Sequence, residues 1–211
     1  MSKKNQIHES LRLRIITNEL RSGQQLYEKE LMEEYGIGRT PLREIFHDLQ
    51  REGLIEILPK LGTRVVSMDL KMLRETVQLR RELEGLAAEL ATPNISQDHL
   101  AEFRELLDSA KQVKDSDHDA LIKMSTIDNK IHQIIYEDAD NEQLNAFIQV
   151  LLDKMTMYWF QVGFSAREFH EQFDELELLY NAMHSRKAEE AKDIMKRHID
   201  HFTELVKNHF F

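Results

Sequence analysis

The sequence predicts a mainly α-helical chain in two parts: a small N-terminal unit of three helices closed by a β-hairpin, then an antiparallel six-helix bundle. Three observations predict it. Apolar residues recur at helical spacing along most of the chain, from Ile7, Leu11 and Ile15 to Ile194 and Phe202. The spacing turns from helical to alternating only in "LIEIL" and "TRVVS", short runs rich in Ile and Val joined by "PKLG". Helix breakers are lopsided: five of seven glycines and two of three prolines precede residue 63.

Charge divides at the same place. Residues 1–68 carry 11 Lys+Arg against 10 Asp+Glu, whereas the remaining 143 residues carry 17 against 28, within a formal net charge of −10. The expected domains are therefore residues 1–68 and 69–211. Without cysteine, neither disulfides nor thiolate metal sites are available. There is no apolar run of about 18 residues, and "MSKKNQIHES" lacks the apolar core of a signal peptide, so a cytoplasmic protein with no membrane partner is expected.

In the first unit, Ile7, Leu11, Ile15, Ile16 and Leu20 predict a helix ending by Gly23. "YEKELMEEYGI" predicts a short second helix with Leu31 and Met32 inward and Gly36 as its stop. Thr40-Pro41 starts a third, with threonine as N-cap and proline at the first helical position. Leu42, Ile45, Phe46 and Leu49 form its apolar face, and Gly53 ends it. With the hairpin as wing, this is a winged helix-turn-helix arrangement. Arg39 and Arg43, four residues apart, then project from the N-terminal half of the third helix, opposite the apolar face. That half reaches base edges in the major groove, where arginine grips guanine bidentately. Arg51, at the far end, is read as a backbone contact or merely exposed.

"ELMEEYGIGRTPLREIFHDLQREGLIEILPKLGTRVV" resembles the DNA-binding signature of the GntR family, over roughly residues 7–68. The signature has a leucine-rich second helix, a small residue followed by Arg-Thr-Pro and a second Arg, Leu-x-x-x-Gly-Leu, and a wing closing in Gly-x-x-Val. The resemblance implies DNA contacts by Lys29, Arg39, Thr40 and Arg43, with Gly62 letting the wing backbone approach the minor groove. Gly38 departs from the family, which often has Ser or Thr there, and so removes a hydroxyl that could bind phosphate.

The bundle helices follow in order. Ser67 or Asp69 caps the first, which runs to about Thr92 with Leu73, Val77, Leu83, Leu86, Ala87 and Leu90 inward, and Pro93-Asn94 breaks it. Ser96 caps a second through Val113; a third runs from about His118 to Asp138; Asn141 opens a fourth ending near Phe164. The fifth and sixth cover about Arg167–Ser185 and Ala188–His209. An acidic bundle is repelled by DNA, so it must sense, dimerise, or both.

Asp128 and His132 stand one turn apart on one side of the third bundle helix, and a carboxylate and imidazole so placed can ligate one metal ion. His198 falls between Ile194, Met195 and Phe202 and faces the same interior. The plain alternative is a hydrogen bond between Asp128 and His132. The remaining histidines are read as surface residues.

"LRRELEGLAAELA" (79–91), "DNKIHQIIYEDADNEQL" (128–144) and "LLYNAMHSRKAEEAKDIMKRHI" (178–199) resemble the FCD domain, the effector-binding domain of the FadR-like branch of the GntR family. Many members bind a divalent metal, often zinc or nickel, through an Asp, a His four residues later and two further histidines 22 positions apart. Asp128, His132 and His198 match that set; the position of the other histidine holds Leu176. The resemblance further implies that Arg80 helps hold the carboxylate of a small organic acid, a surface salt bridge to Glu84 being the alternative. Together these readings describe a homodimeric, effector-responsive transcription regulator on a palindromic operator, not an enzyme. Two alternatives stay open: a metalloenzyme using Asp128, His132 and His198, and a winged helix that binds protein.

Overall fold

The computed structural model describes residues 2–67, 70–114, 119–162 and 166–210. It is mainly helical, in the order α1 (Lys3–Ile16), β1 (Gln25–Leu26), α2 (Glu28–Tyr35), α3 (Arg39–Arg51), β2 (Ile55–Leu58), β3 (Gly62–Val65), α4 (Leu70–Ala91), α5 (Gln97–Ala110), α6 (Ala120–Asp138), α7 (Glu142–Val162), α8 (Ala166–His184) and α9 (Ala188–Phe210). Two compact units form: Met1–Leu73 with Val150–Val162, and Arg74–Gln149 with Gly163–Phe211.

In the first unit, Ser2 caps α1 by accepting the Asn5 amide on its hydroxyl, and Ile7, Leu11, Ile15 and Ile16 line its buried face. The helix ends at Ile16, earlier than expected. Asn18 takes φ 60° and the Leu20 amide turns back to the Arg14 carbonyl, so the apolar period reaches Leu20 through a turn. Leu20 is buried all the same. The turn frees Gln25 and Leu26 to form β1, giving a three-stranded antiparallel sheet ordered β1-β3-β2 where two strands were expected. Gln25 faces Arg64 across one ladder, and Leu58 faces Gly62 across the other.

Gly36 ends α2 in the left-handed conformation, its amide donating to the Met32 carbonyl. The N-cap of α3 is Gly38 and not Thr40. Pro41 consequently sits third in the helix, still among the positions whose N–H has no intrahelical acceptor, so its missing donor costs nothing. Leu42, Ile45, Phe46 and Leu49 bury their side chains against Leu11, Ile15, Leu54 and Val65, and Met157 of α7 joins this cluster.

In the second unit, Ser96 caps α5 by accepting the His99 amide, and Asn141 Oδ1 accepts the Leu144 amide at the start of α7. The α8 helix packs on α9, α5 and α6, and α5 on α6. Phe103, Leu107, Met124, Ile131, Ile135, Leu179, Met183 and Met195 are fully buried. On α4, Val77, Ala87 and Ala88 are buried, but Leu86 (38% exposed) and Leu79 (56%) share an outward ridge, so Leu86 is not on the inner face. The expected caps and starts at Asp69 and His118 lie outside the described residues. No helix among those described is long and apolar enough to cross a membrane.

Candidate functional site

In the first unit the outward ridge of α3 begins with Arg39, Thr40 and Arg43, all exposed, while the opposite face is buried. One carboxylate holds both arginines. Glu28, the first residue of α2, accepts Arg43 Nε on Oε1 at 2.9 Å and pairs through Oε2 with Arg39 Nε at 3.3 Å. Lys29 follows it and is exposed. At the wing, Gly62 has φ 99°, and a Cβ there would meet Gln25 Nε2 at 2.3 Å, an amide that donates to the Leu61 carbonyl. Glycine at 62 thus has a reason within the fold itself. Arg51 pairs with Asp48.

In the second unit, α6 presents Asp128, His132 and Tyr136 one turn apart on one ridge, and α9 brings His198 to the first two. His132 Nε2 lies 3.3 Å from His198 Nε2; Asp128 Oδ1 lies 3.8 Å from the former and 3.6 Å from the latter. Three atoms so separated share a centre about 2.1 Å from each, the bond length of zinc to imidazole nitrogen or carboxylate oxygen. All three side chains are buried, and among the described residues Asp128 Oδ1 has no hydrogen-bond donor. A buried carboxylate oxygen in that position is costly unless a cation or ligand meets it. The residues present therefore fit a divalent ion.

A second layer orients them. Glu84 of α4, fully buried, lies with Oε2 2.6 Å from His132 Nδ1 and accepts the Tyr136 hydroxyl at 2.9 Å. Its Oε1 accepts Arg80 Nε. A proton on Nδ1 aimed at Glu84 turns the Nε2 lone pair of His132 toward the shared centre. Burial alone would raise the Glu84 carboxyl, but Arg80 and His132 outweigh it and hold it well below the usual carboxylate range. Burial is outweighed in the same way at Asp128, lowered by His132, His198 and Arg80. It is outweighed again at His132, raised by Glu84 and Asp128. Burial and Glu84 push the Tyr136 hydroxyl up, so it stays a neutral donor.

Asp128, His132 and His198 are thus brought together as expected. Arg80 is 4% exposed and pairs with Glu84 inside the unit, so its salt bridge is not a surface one. Leu176 is fully buried on α8. Gln172, one turn before it, is buried with Nε2 unpartnered among the described residues, and Glu175 Oε2 lies 3.8 Å from His198 Nδ1 and 3.5 Å from His201 Nδ1. Sequence reasoning missed Tyr136, and took Glu84 only as a surface partner of Arg80. The available signal was spacing: Tyr136 continues the Asp128–His132 ridge, and Glu84 lies one turn after Arg80.

Comparison with known proteins agrees with both halves. Residues 3–65 match the family model "Bacterial regulatory proteins, gntR family", and residues 75–201 match the FCD domain. The chain belongs to the GntR family and carries an FCD domain. Over 149 residues this regulator is 23% identical to the uncharacterized HTH-type transcriptional regulator YdhC of Bacillus subtilis, spanning 70% of the chain and 66% of YdhC. It is 31% identical over 140 residues to the probable D-xylose utilization operon transcriptional repressor of Paenarthrobacter nicotinovorans, spanning 66% of the chain and 60% of that protein. McbR of Escherichia coli, an HTH-type transcriptional regulator, is 25% identical over 202 residues, covering 92% of the chain and 90% of McbR. The solved McbR structure superposes with a TM-score of 0.86 over 100% of both chains at 22% identity, a likeness of fold. These relatives are transcriptional regulators, not enzymes, which removes the support for a metalloenzyme built on the same three residues.

Proposed function

We propose that this GntR-family chain is a cytoplasmic, effector-responsive regulator whose winged helix reads operator DNA and whose FCD domain holds a divalent ion and a small acid. The observation that carries the DNA reading is α3 itself, which exposes Arg39 and Arg43 on one ridge while burying Leu42, Ile45, Phe46 and Leu49 on the other. Arg39 and Arg43 contact base edges, Thr40 and Lys29 contact phosphate, and the wing approaches the minor groove at Gly62. A palindromic operator calls for a two-fold dimer, and the outward Leu79–Leu86 ridge of α4 offers apolar surface for one.

In the FCD domain, Asp128, His132 and His198 would hold zinc or nickel. When bound, such an ion supplies a Lewis-acidic positive charge that anchors a carboxylate. Glu84 keeps the His132 tautomer fixed, and Arg80, paired with Glu84 beside it, supplies the positive charge for the effector anion. Leu176 and the unpartnered Gln172 amide favour an effector with a hydrocarbon portion and a hydrogen-bond acceptor.

The test is binding to a duplex that the wild-type protein selects from a randomised pool, compared with a scrambled duplex. Arg39→Ala and Arg43→Ala should each cost about 1–3 kcal/mol on the selected duplex and relax preference at one base position. Lys29→Ala should weaken both duplexes about equally. Full affinity and selectivity in both arginine variants would overturn the assignment of α3.

A further inference from the structure

We propose that Glu28 is a positioning residue for base readout: a single carboxylate that bridges Arg39 and Arg43 and sets the spacing of their guanidinium groups. This rests on the reading of α3 as the DNA-contacting helix. The two arginine side chains are 65% and 59% exposed, yet both end on the same side chain, which is itself 27% exposed. Each is engaged through Nε, which leaves the two terminal nitrogens of each fork for the paired acceptors of a guanine edge. Glu28 occupies the first turn of α2, where the helix dipole favours a carboxylate and the backbone fixes its origin. An unanchored exposed arginine samples many rotamers and loses that freedom on binding; the bridge removes part of this cost in advance.

The same carboxylate has a second effect. It cancels one of the two positive charges facing the polyanion, and so weakens attraction to any phosphate backbone regardless of sequence. Glu28 therefore acts on discrimination in two ways, favouring ordered contact with the correct bases and opposing adherence to all others.

Glu28→Gln keeps length and removes charge, whereas Glu28→Asp keeps charge and is too short to span both arginines. Affinities for the selected and scrambled duplexes, measured by fluorescence anisotropy over a range of salt, separate these effects in the full-length protein. Glu28→Gln should bind the scrambled duplex about threefold tighter, lower the selected-to-scrambled ratio about tenfold, and steepen the salt dependence by roughly one unit. Glu28→Asp should lower the ratio with the salt slope unchanged. A wild-type ratio in either variant, with an unchanged melting temperature, overturns the proposal. Arg43→Ala run alongside keeps two failures apart: if it loses selectivity while both Glu28 variants keep it, only the bridge is wrong. If Arg43→Ala and Arg39→Ala also keep selectivity, the reading of α3 is wrong.

Discussion

The two halves of the chain place their charges in opposite ways. In the winged-helix unit the arginines of interest lie on the surface, paired to a carboxylate that is itself partly in water. In the helical unit Arg80, Glu84, Asp128, His132 and His198 are all buried and lie within ion-pair distance of one another. Surface pairs of the first kind contribute little to stability and can be exchanged for a partner at small cost. Buried charges of the second kind are stable only as a set, because removing one leaves its neighbour uncompensated in a poorly solvated interior. The first arrangement suits reversible contact with a large external surface, the second a buried site of fixed geometry.

The sharpest way to break this contrast is Glu84→Gln. The variant leaves the buried Arg80 without its counter-charge and His132 Nδ1 without a carboxylate, so it should cost about 3–5 kcal/mol of stability. Urea unfolding followed by circular dichroism checks this. The surface arginine variants, by the same measurement, should stay within about 0.5 kcal/mol of wild type. A mild Glu84→Gln would mean that water reaches the network.

A smaller effect is expected at Leu176. Leu176→His should tighten zinc or nickel binding about tenfold in a calorimetric titration against a chelator, and His132→Ala or His198→Ala should abolish binding. Because burial is outweighed by Glu84 and Asp128 at His132, its imidazole holds a proton more strongly than usual, and the ion must displace that proton. Affinity should accordingly fall as the pH is lowered. No gain from Leu176→His would place residue 176 away from the shared centre.

The smallest effect concerns a partly exposed cluster in the helical unit, where Arg104 and Lys111 pair with Glu177. The Arg104 hydrogen bond holds the Glu177 carboxyl down at about 2. A depressed folded value means that the cluster stabilises fully above the unfolded pKa, near 4.5, and loses its contribution as pH falls from there toward 2. With Glu177 35% exposed, solvent screening keeps Glu177→Gln to about 0.5 kcal/mol near neutrality. The wild-type and variant unfolding curves should converge as the pH falls from about 4.5 and merge only near 2.

Much of this was legible from spacing alone. Leu42, Ile45, Phe46 and Leu49 announce the buried face of α3, and Asp128 with His132 announces the inward polar ridge of α6. What escaped has identifiable causes. A two-residue strand such as β1 has no period of its own, and its existence depends on pairing with β3, distant in sequence. Gly38 could not be recognised as an N-cap because it has no side chain to cap with, so the adjacent Thr40-Pro41 drew the helix start two residues late. Glu84 sits in "RRELEG", which reads as a solvated charge run; only the approach of α6 with His132 and Tyr136 turns it inward. Leu86 shares the spacing of the inner residues, and a period by itself cannot tell a face turned to the core from one left open.

The short strand β1 has one further consequence. Its Leu26 is hydrogen-bonded into the wing through Thr63 of β3, and only Tyr27 separates it from Glu28 and the start of α2. Wing and α2, whose Glu28 pairs with Arg39 and Arg43 of α3, are thereby geared through a single residue, with no slack in the drive. Over generations, lengthening the chain between 26 and 28 would throw both parts out of mesh at once, while the exposed tip at 59–61 can grow or shrink without turning the other wheel.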